Sequence, residues 1–189
     1  MVRVDSSRQT NKDIIVSKFW ELYKTKPLCQ ISVTDLSRAC GISRGTFYQY
    51  FENVYALYFE LEAEAIRISE SGLSDVILCA IGKNFEKFIE VSSRHLSIHI
   101  EHLDMFQSLL NGSEEGSFRK MWFESIHNNF VKVLDFSGDY SKDDNNLTLF
   151  FAGGLLSVLS NWVLNDCIEP VENIARVAMQ IQSKGALKK

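Results

Sequence analysis

Apolar side chains recur at three- and four-residue spacing over most of this chain, and only two prolines, Pro27 and Pro170, interrupt its 189 residues. That combination leaves few folds open. A period near 3.6 lays apolar groups along one side of a helix, whereas a strand buries alternate residues. No stretch alternates strictly enough to favour a strand. The expectation is an all-α fold of about nine helices. The first runs from about Thr10 to Lys24, with Ile15, Phe19, Leu22 and Tyr23 on one stripe. Short helices follow at about 32–40 and 43–51, then a longer one from Asn53 to about Ser71. Further helices are expected near 75–93, 95–110 (as one or two pieces), 118–135, 147–165 and 170–184, with loops at 111–117 and 137–146.

Net charge is −4, which by itself argues against a nucleic-acid partner, but the distribution reverses that reading. Residues 1–51 carry eight Lys or Arg against four Asp or Glu, while the remainder carries twelve against twenty. A basic head on an acidic body is the asymmetry expected when only the head meets phosphate. The four cysteines (Cys29, Cys40, Cys79 and Cys167) form no C-x-x-C pair and no zinc spacing, so reduced thiols are expected. The N-terminus lacks an apolar signal core, and no run reaches the roughly 18 apolar residues of a membrane span. A cytoplasmic protein with no membrane partner is expected.

The most informative stretch is residues 31–51, ISVTDLSRACGISRGTFYQYF. Ser32 and Asp35 form an S-x-x-D capping box that starts a short helix. Its apolar positions are Val33, Leu36, Ala39 and Cys40, and Gly41 stops it where a left-handed cap is wanted. Ser43 can cap the next helix, whose inward face would be Phe47, Tyr50 and Phe51. Two short helices joined by Gly41, Ile42 and Ser43 make a helix-turn-helix. Its outward set (Arg44, Gly45, Thr46, Tyr48 and Gln49) suits a major groove. Arginine grips a guanine edge with two hydrogen bonds, and glutamine does the same for adenine. Glycine lets backbone approach closely, and hydroxyls reach phosphate oxygens, which position the helix without reading sequence.

Over about residues 10–60 the chain resembles the TetR-type regulators, whose pattern is A-x-x-x-G-[VI]-S-x-x-T-[LF]-Y-x-[YH]-F followed by a polar cap and a long helix. Leu36, Gly41, Ile42, Ser43, Thr46, Phe47, Tyr48, Tyr50, Phe51 and Asn53 stand at matching positions. The resemblance implies that Arg44 and Tyr48 contact bases, with Thr34 a further candidate, and that Thr46, Tyr48 and Tyr50 hold phosphates. Ser43, Gly45 and Gln49 complete the expected DNA-binding set. One departure stands out: the lysine usual just after Asn53 is Val54, and Tyr55 follows where an acid is common. Arg8, Lys12, Lys24 and Lys26 are the candidates for compensating charge.

The resemblance divides the chain into a DNA-binding domain at 1–53 and a helical body at 54–189, with about 54–71 as connector. Residues 150–181 resemble the body of a subset of these regulators from Firmicutes. In that family the last two helices pair with their two-fold mates, which assigns Phe150, Gly153, Gly154, Ser157, Trp162, Ile174 and Met179 to a dimer interface; intramolecular core is the other reading. The family's effector pocket lies among the middle helices, where Phe85, Phe88, Met105, Phe106 and Trp122 would line it, again unless they are ordinary core. His95, His99 and His102 stand at i, i+4 and i+7, so on a helix they share one face. Such spacing can hold zinc, with Glu101, His127 or Cys79 to complete the shell; a solvated polar face is the alternative.

The expected function is therefore transcription regulation by a homodimeric repressor on palindromic double-stranded DNA, with operator affinity modulated by a small effector. Two alternatives remain at this stage: a zinc-responsive regulator using the three histidines, and a co-activator controlled by a protein partner. No hydrolase elbow, phosphate-binding glycine loop or H-E-x-x-H motif occurs, so neither enzyme activity nor a cofactor is expected.

Overall fold

The early helices begin where a short polar side chain can satisfy backbone N–H groups that have no partner within the helix. Thr10 caps α1 (Asn11–Tyr23) and Ser32 caps α2 (Val33–Cys40), each in a reciprocal capping box with Asp13 or Asp35. Gly41 ends α2 at φ 67°, the left-handed conformation that costs glycine least. Ser43 caps α3 (Arg44–Tyr48), and Asn53 Oδ1 accepts from the Ala56 N–H at 2.9 Å to start α4 (Val54–Glu70). A single 3-10 turn, Leu28–Gln30, lies between α1 and α2.

The computed structural model describes residues 10–82, 85–112, 117–135 and 142–181. Among them the fold is all-α, as expected, with ten α-helices rather than nine and no strand. The remaining six are α5 (Leu73–Ile81), α6 (Phe85–Glu101), α7 (Leu103–Asn111), α8 (Ser117–Asp135), α9 (Lys142–Leu164) and α10 (Val171–Ile181). The extra helix arises because the expected 75–93 segment is two: α5 stops at Ile81 and α6 begins at Phe85. The apolar period ran through that break and masked it. Helix α9 also begins at Lys142, inside the expected loop. Its Asp and Asn residues read as loop-forming, but acids equally suit a helix's first turn, where they face the positive end of the dipole.

The chain divides into two compact units, Met1–Glu62 and Ala63–Lys189. In the first, α1 packs on α2 and α2 on α3. Ile15, Phe19, Leu36, Phe47 and Leu57 are fully buried there. Phe19, Tyr23 and Tyr58 form an aromatic cluster with ring centroids 5.4–6.4 Å apart. The Tyr58 hydroxyl donates to Glu62 Oε1 at 2.8 Å, and burial first, then its bonds to Tyr23 and Glu62, raises its pKa.

In the second unit α8 packs on α9, while α5 and α10 both pack on α6. The core there includes Phe106, Leu109, Phe118, Trp122, Ala152 and Val163. The turn from α9 to α10 holds two non-glycine residues at positive φ, Asp166 (56°) and Cys167 (51°). Gln107 of α7 pins it, donating from Nε2 to the Val163 carbonyl at 2.9 Å and to Asp166 Oδ1 at 2.8 Å.

Candidate nucleic-acid interface

The outward face of α3 is set by what its inward face must bury. Phe47 is completely inaccessible and its ring lies 5.8 Å from that of Phe51, which is also buried. A helix of five residues has room for little more than one such anchor. Arg44, Gly45, Tyr48 and Gln49 are therefore exposed, and Thr46 is half-buried. Tyr48 is 49% exposed and Tyr50 40%. Tyr50 thus departs from the expected inward face, because it lies beyond the end of α3, and joins the outward set. Ala39 of α2 is likewise exposed where the spacing had placed it inward.

Local hydrogen bonds order this face. Ser43 Oγ accepts from the Thr46 N–H at 3.0 Å and lies 2.9 Å from Thr46 Oγ1. The Arg44 guanidinium donates to the Tyr48 hydroxyl at 3.3 Å, aligning the two side chains assigned to bases by resemblance. A Cβ added to Gly45 would meet only Ser43 Oγ, at 3.5 Å, so the surface there is open. Thr34, in the first turn of α2, is exposed as well.

Two of the cations proposed to compensate for Val54 are already engaged. Lys12 pairs with Glu60 at 2.6 Å and sits 5.6 Å from the Phe51 ring. Lys26 pairs with Asp35 at 3.2 Å. Asp35 is pushed down to about 2, first by the Ser32 hydroxyl and then by Lys26. Lys24 is exposed, and Arg8 lies outside the described residues. Val54 itself is buried, so its side chain serves the core.

In the second unit, Phe106 and Trp122 are fully buried with ring centroids 5.4 Å apart, and the Phe118 ring lies tilted 5.5 Å from that of Trp122. Phe88 is buried and Met105 half-buried, while the Phe85 side chain lies outside the described residues. His99 joins this cluster, 4.7 Å from Phe106 and 5.7 Å from Trp122. The three histidines do not form a solvated face: His95 and His99 are buried and only His102 is exposed. They do not form a metal shell either. His95 donates from Nδ1 to the Ser71 carbonyl at 2.8 Å, and His127 is turned to Thr148 of α9 at 3.1 Å. Among the described residues no three His, Cys, Asp or Glu side chains converge on one point. Burial pushes the thiols of Cys40 and Cys167 up, the latter to about 11, so neither is an activated nucleophile.

Helix α9 presents a different face. From Asn145 to Leu164 it is strongly apolar, with Ala152, Leu159, Trp162 and Val163 buried and Leu149, Phe150, Gly154 and Ser157 exposed along one stripe. It is long and apolar enough to cross a membrane by length and composition alone, which corrects the expectation that no such run exists. Phe150 is 64% exposed, Gly154 and Ser157 are exposed, and a Cβ on Gly154 would meet nothing within 4 Å. Gly153 is half-buried beneath Phe123. Trp162 points the other way, buried in its own chain with Nε1 donating to the Glu169 carbonyl at 2.8 Å. Ile174 is half-buried, and the Met179 side chain lies outside the described residues.

A family model described as the transcriptional regulator C-terminal region, of TetR type, matches residues 86–184, more than half of the chain. The chain belongs to the TetR family of transcriptional regulators. The HTH-type transcriptional regulator EthR of Mycolicibacterium smegmatis is 36% identical over 63 residues, which are 33% of this chain and 29% of EthR. The match therefore spans less than a third of that relative. Two solved structures share the fold over nearly the whole chain. The fatty acid degradation regulator FadR from Bacillus halodurans superposes with a TM-score of 0.59 at 19% identity, covering 97% of this chain and 100% of that one. NalD, the secondary repressor of the MexAB-OprM multidrug efflux pump in Pseudomonas aeruginosa, gives 0.58 at 14% identity, covering 95% and 96%.

Within this TetR-type body, Ser69 is a residue that sequence reasoning missed. It is buried at the last turn of α4 and bonded to both α6 and α8. A serine in a helix interior carries no periodic signal, so only the fold reveals its partners.

Proposed function

We propose that this chain is a cytoplasmic, homodimeric repressor that binds a palindromic DNA operator through its first unit. A small effector held in the second unit would modulate that binding. The observation that carries the reading is the face of α3. Arg44, Gly45, Tyr48 and Gln49 are exposed together on a capped helix whose other side is anchored by the fully buried Phe47. Arginine and glutamine at such positions read guanine and adenine edges, while Thr46, Tyr48 and Tyr50 supply hydroxyls for phosphate. The basic excess of residues 1–51 provides the long-range attraction.

Dimerisation follows from α9. An apolar helix with one stripe left exposed by its own chain, at Leu149, Phe150, Gly154 and Ser157, gains by meeting another apolar surface, and Gly154 and Ser157 allow close approach. A two-fold dimer presents two reading helices to half-sites about one helical turn apart or modestly more. The aromatic cluster around Phe106 and Trp122 is where an apolar effector would enter, favouring one arrangement of the dimer over another. The resemblance of residues 150–181 to the Firmicutes subset supports the same division of labour.

The test is selection from random-sequence duplexes at physiological salt, followed by mobility shift. Enrichment of a two-fold palindrome upholds the proposal. Failure to enrich any sequence, with binding that stays equal for all duplexes, removes it.

A further inference from the structure

The polar side chains buried in the second unit carry no charge. Among its described residues they are five serines, one threonine and two histidines, with no Lys, Arg, Asp or Glu. The histidines are neutral as well. The Trp122 indole donates from Nε1 to Ser69 Oγ at 2.6 Å, and His99 Nε2 lies 3.2 Å from the same oxygen. An indole N–H can only donate, so Ser69 accepts from Trp122 and donates its own hydrogen to His99 Nε2. A ring nitrogen that accepts bears no proton, which leaves His99 uncharged with its proton on Nδ1. Burial favours the same form, pushing His99 down to about 3 and lowering His95 too. Glu70 is an acid that touches this buried set, but it is exposed, and its Oε1 already accepts from Ser125 Oγ at 2.7 Å.

Several of the buried groups also lack a partner. The hydroxyls of Ser92, Ser108 and Ser160 make no hydrogen bond, and each residue is less than a tenth exposed. His99 Nδ1 has carbonyls of its own helix near it, at His95 and Leu96, and none in good hydrogen-bond geometry. Ser92 stands seven residues before His99, two turns along the same face of α6. Ser108 stands on α7, two residues after Phe106. An unpaired buried hydroxyl costs stability, which a guest's hydroxyl, carbonyl or amide can recover. The apolar surface of the same unit is the ring cluster of Phe106, Phe118 and Trp122, with centroids 5.4–6.1 Å apart. His99 joins the two sets, its ring 4.7 Å from that of Phe106.

We propose that the effector of the second unit is an uncharged, largely apolar molecule with one or two hydrogen-bonding groups, and that carboxylates, phosphates and organic cations are excluded. This rests on the reading that the second unit holds a small effector. A charged guest would lose its hydration and meet no buried counter-ion. A hydroxyl or carbonyl meets serine hydroxyls, which both donate and accept.

The experiment titrates the full chain, near neutral pH, with probes of one shape and different charge. Benzyl alcohol, benzoate and benzylammonium form a rigid set; octanol, octanoate and octylammonium form a flexible one. The readout is the Trp122 Nε1–H resonance, assigned through bonds, with Trp20 of the first unit as internal control. At least one of the two alcohols is expected to shift Trp122 saturably while Trp20 stays in place. The anion and the cation of the same shape are expected to bind at least about ten-fold more weakly, because each buries a charge without a partner. A charged probe that moves Trp122 at the same or lower concentration than its alcohol overturns the proposal and leaves the effector site standing. If none of the six moves Trp122, the effector reading falls and the proposal falls with it.

Discussion

Arg44 and Phe47 stand three residues apart on α3 and do opposite work. Phe47 has no exposed surface, so Phe47→Ala is expected to cost about 3–5 kcal/mol by deleting an aromatic anchor from a small core. Thermal or urea unfolding checks this, and a loss near zero would mean that α3 is not held by that ring. Arg44→Ala is expected to leave stability unchanged and relax specificity at one base position by about 1–3 kcal/mol. Tyr50→Phe, at an exposed hydroxyl, should weaken all sites about equally. The sequence made this face legible because one capped short helix and one aromatic anchor fix which side points out. It misled at Tyr50 and Ala39, where helical periodicity was extended to positions the tertiary packing leaves open. The histidines misled for a related reason. Spacing puts His95, His99 and His102 on one side of a helix, but α6 ends at Glu101 before His102, and spacing does not say that α4, α7 and α8 cover His95 and His99.

At the scale of elements, caps and breakers explain most of what was legible. Ser32 and Asp35 start α2, and Gly41 stops it. Ser32→Ala is expected to destabilise the first unit by about 1 kcal/mol. Gly41→Ala should cost a similar amount, roughly 1 kcal/mol, through its left-handed φ alone, since an added Cβ would meet nothing within 4 Å. Equal unfolding midpoints for parent and Gly41→Ala would contradict that assignment. Less was legible where signals conflicted. The apolar stripe runs unbroken from α5 into α6, so the break at Gly82 was hidden, and the polar start of α9 resembled a loop.

At the scale of the molecule, the division into a basic head and an acidic body was visible in charge alone, whereas the polar cluster around Ser69 was not visible at all. The exposed stripe on α9 predicts self-association. Phe150→Glu places a charge where the side chain is 64% exposed, and should convert dimer to monomer in sedimentation without unfolding the chain. A variant that still sediments with its parent would move the interface elsewhere. Acid sensitivity also belongs to this scale. Burial, then the neighbouring His95, pushes His99 down to about 3, whereas an unfolded histidine binds its proton near pH 6.5. The unfolded state therefore holds more protons between those values. Stability is full above about pH 6.5 and falls as pH drops through the window. A His99 ring signal that titrates near 6.5 in the folded protein would refute this.

The proposed function rests on α3 reading DNA sequence. Its most direct test is the ratio of affinities for the selected palindrome and a scrambled duplex, measured across salt concentrations for the parent and for Arg44→Ala. Binding is expected to weaken steeply with salt for both proteins, the parent to prefer the palindrome, and Arg44→Ala to lose that preference at one base pair in each half-site. An Arg44→Ala protein that discriminates between the two duplexes as well as its parent would contradict it.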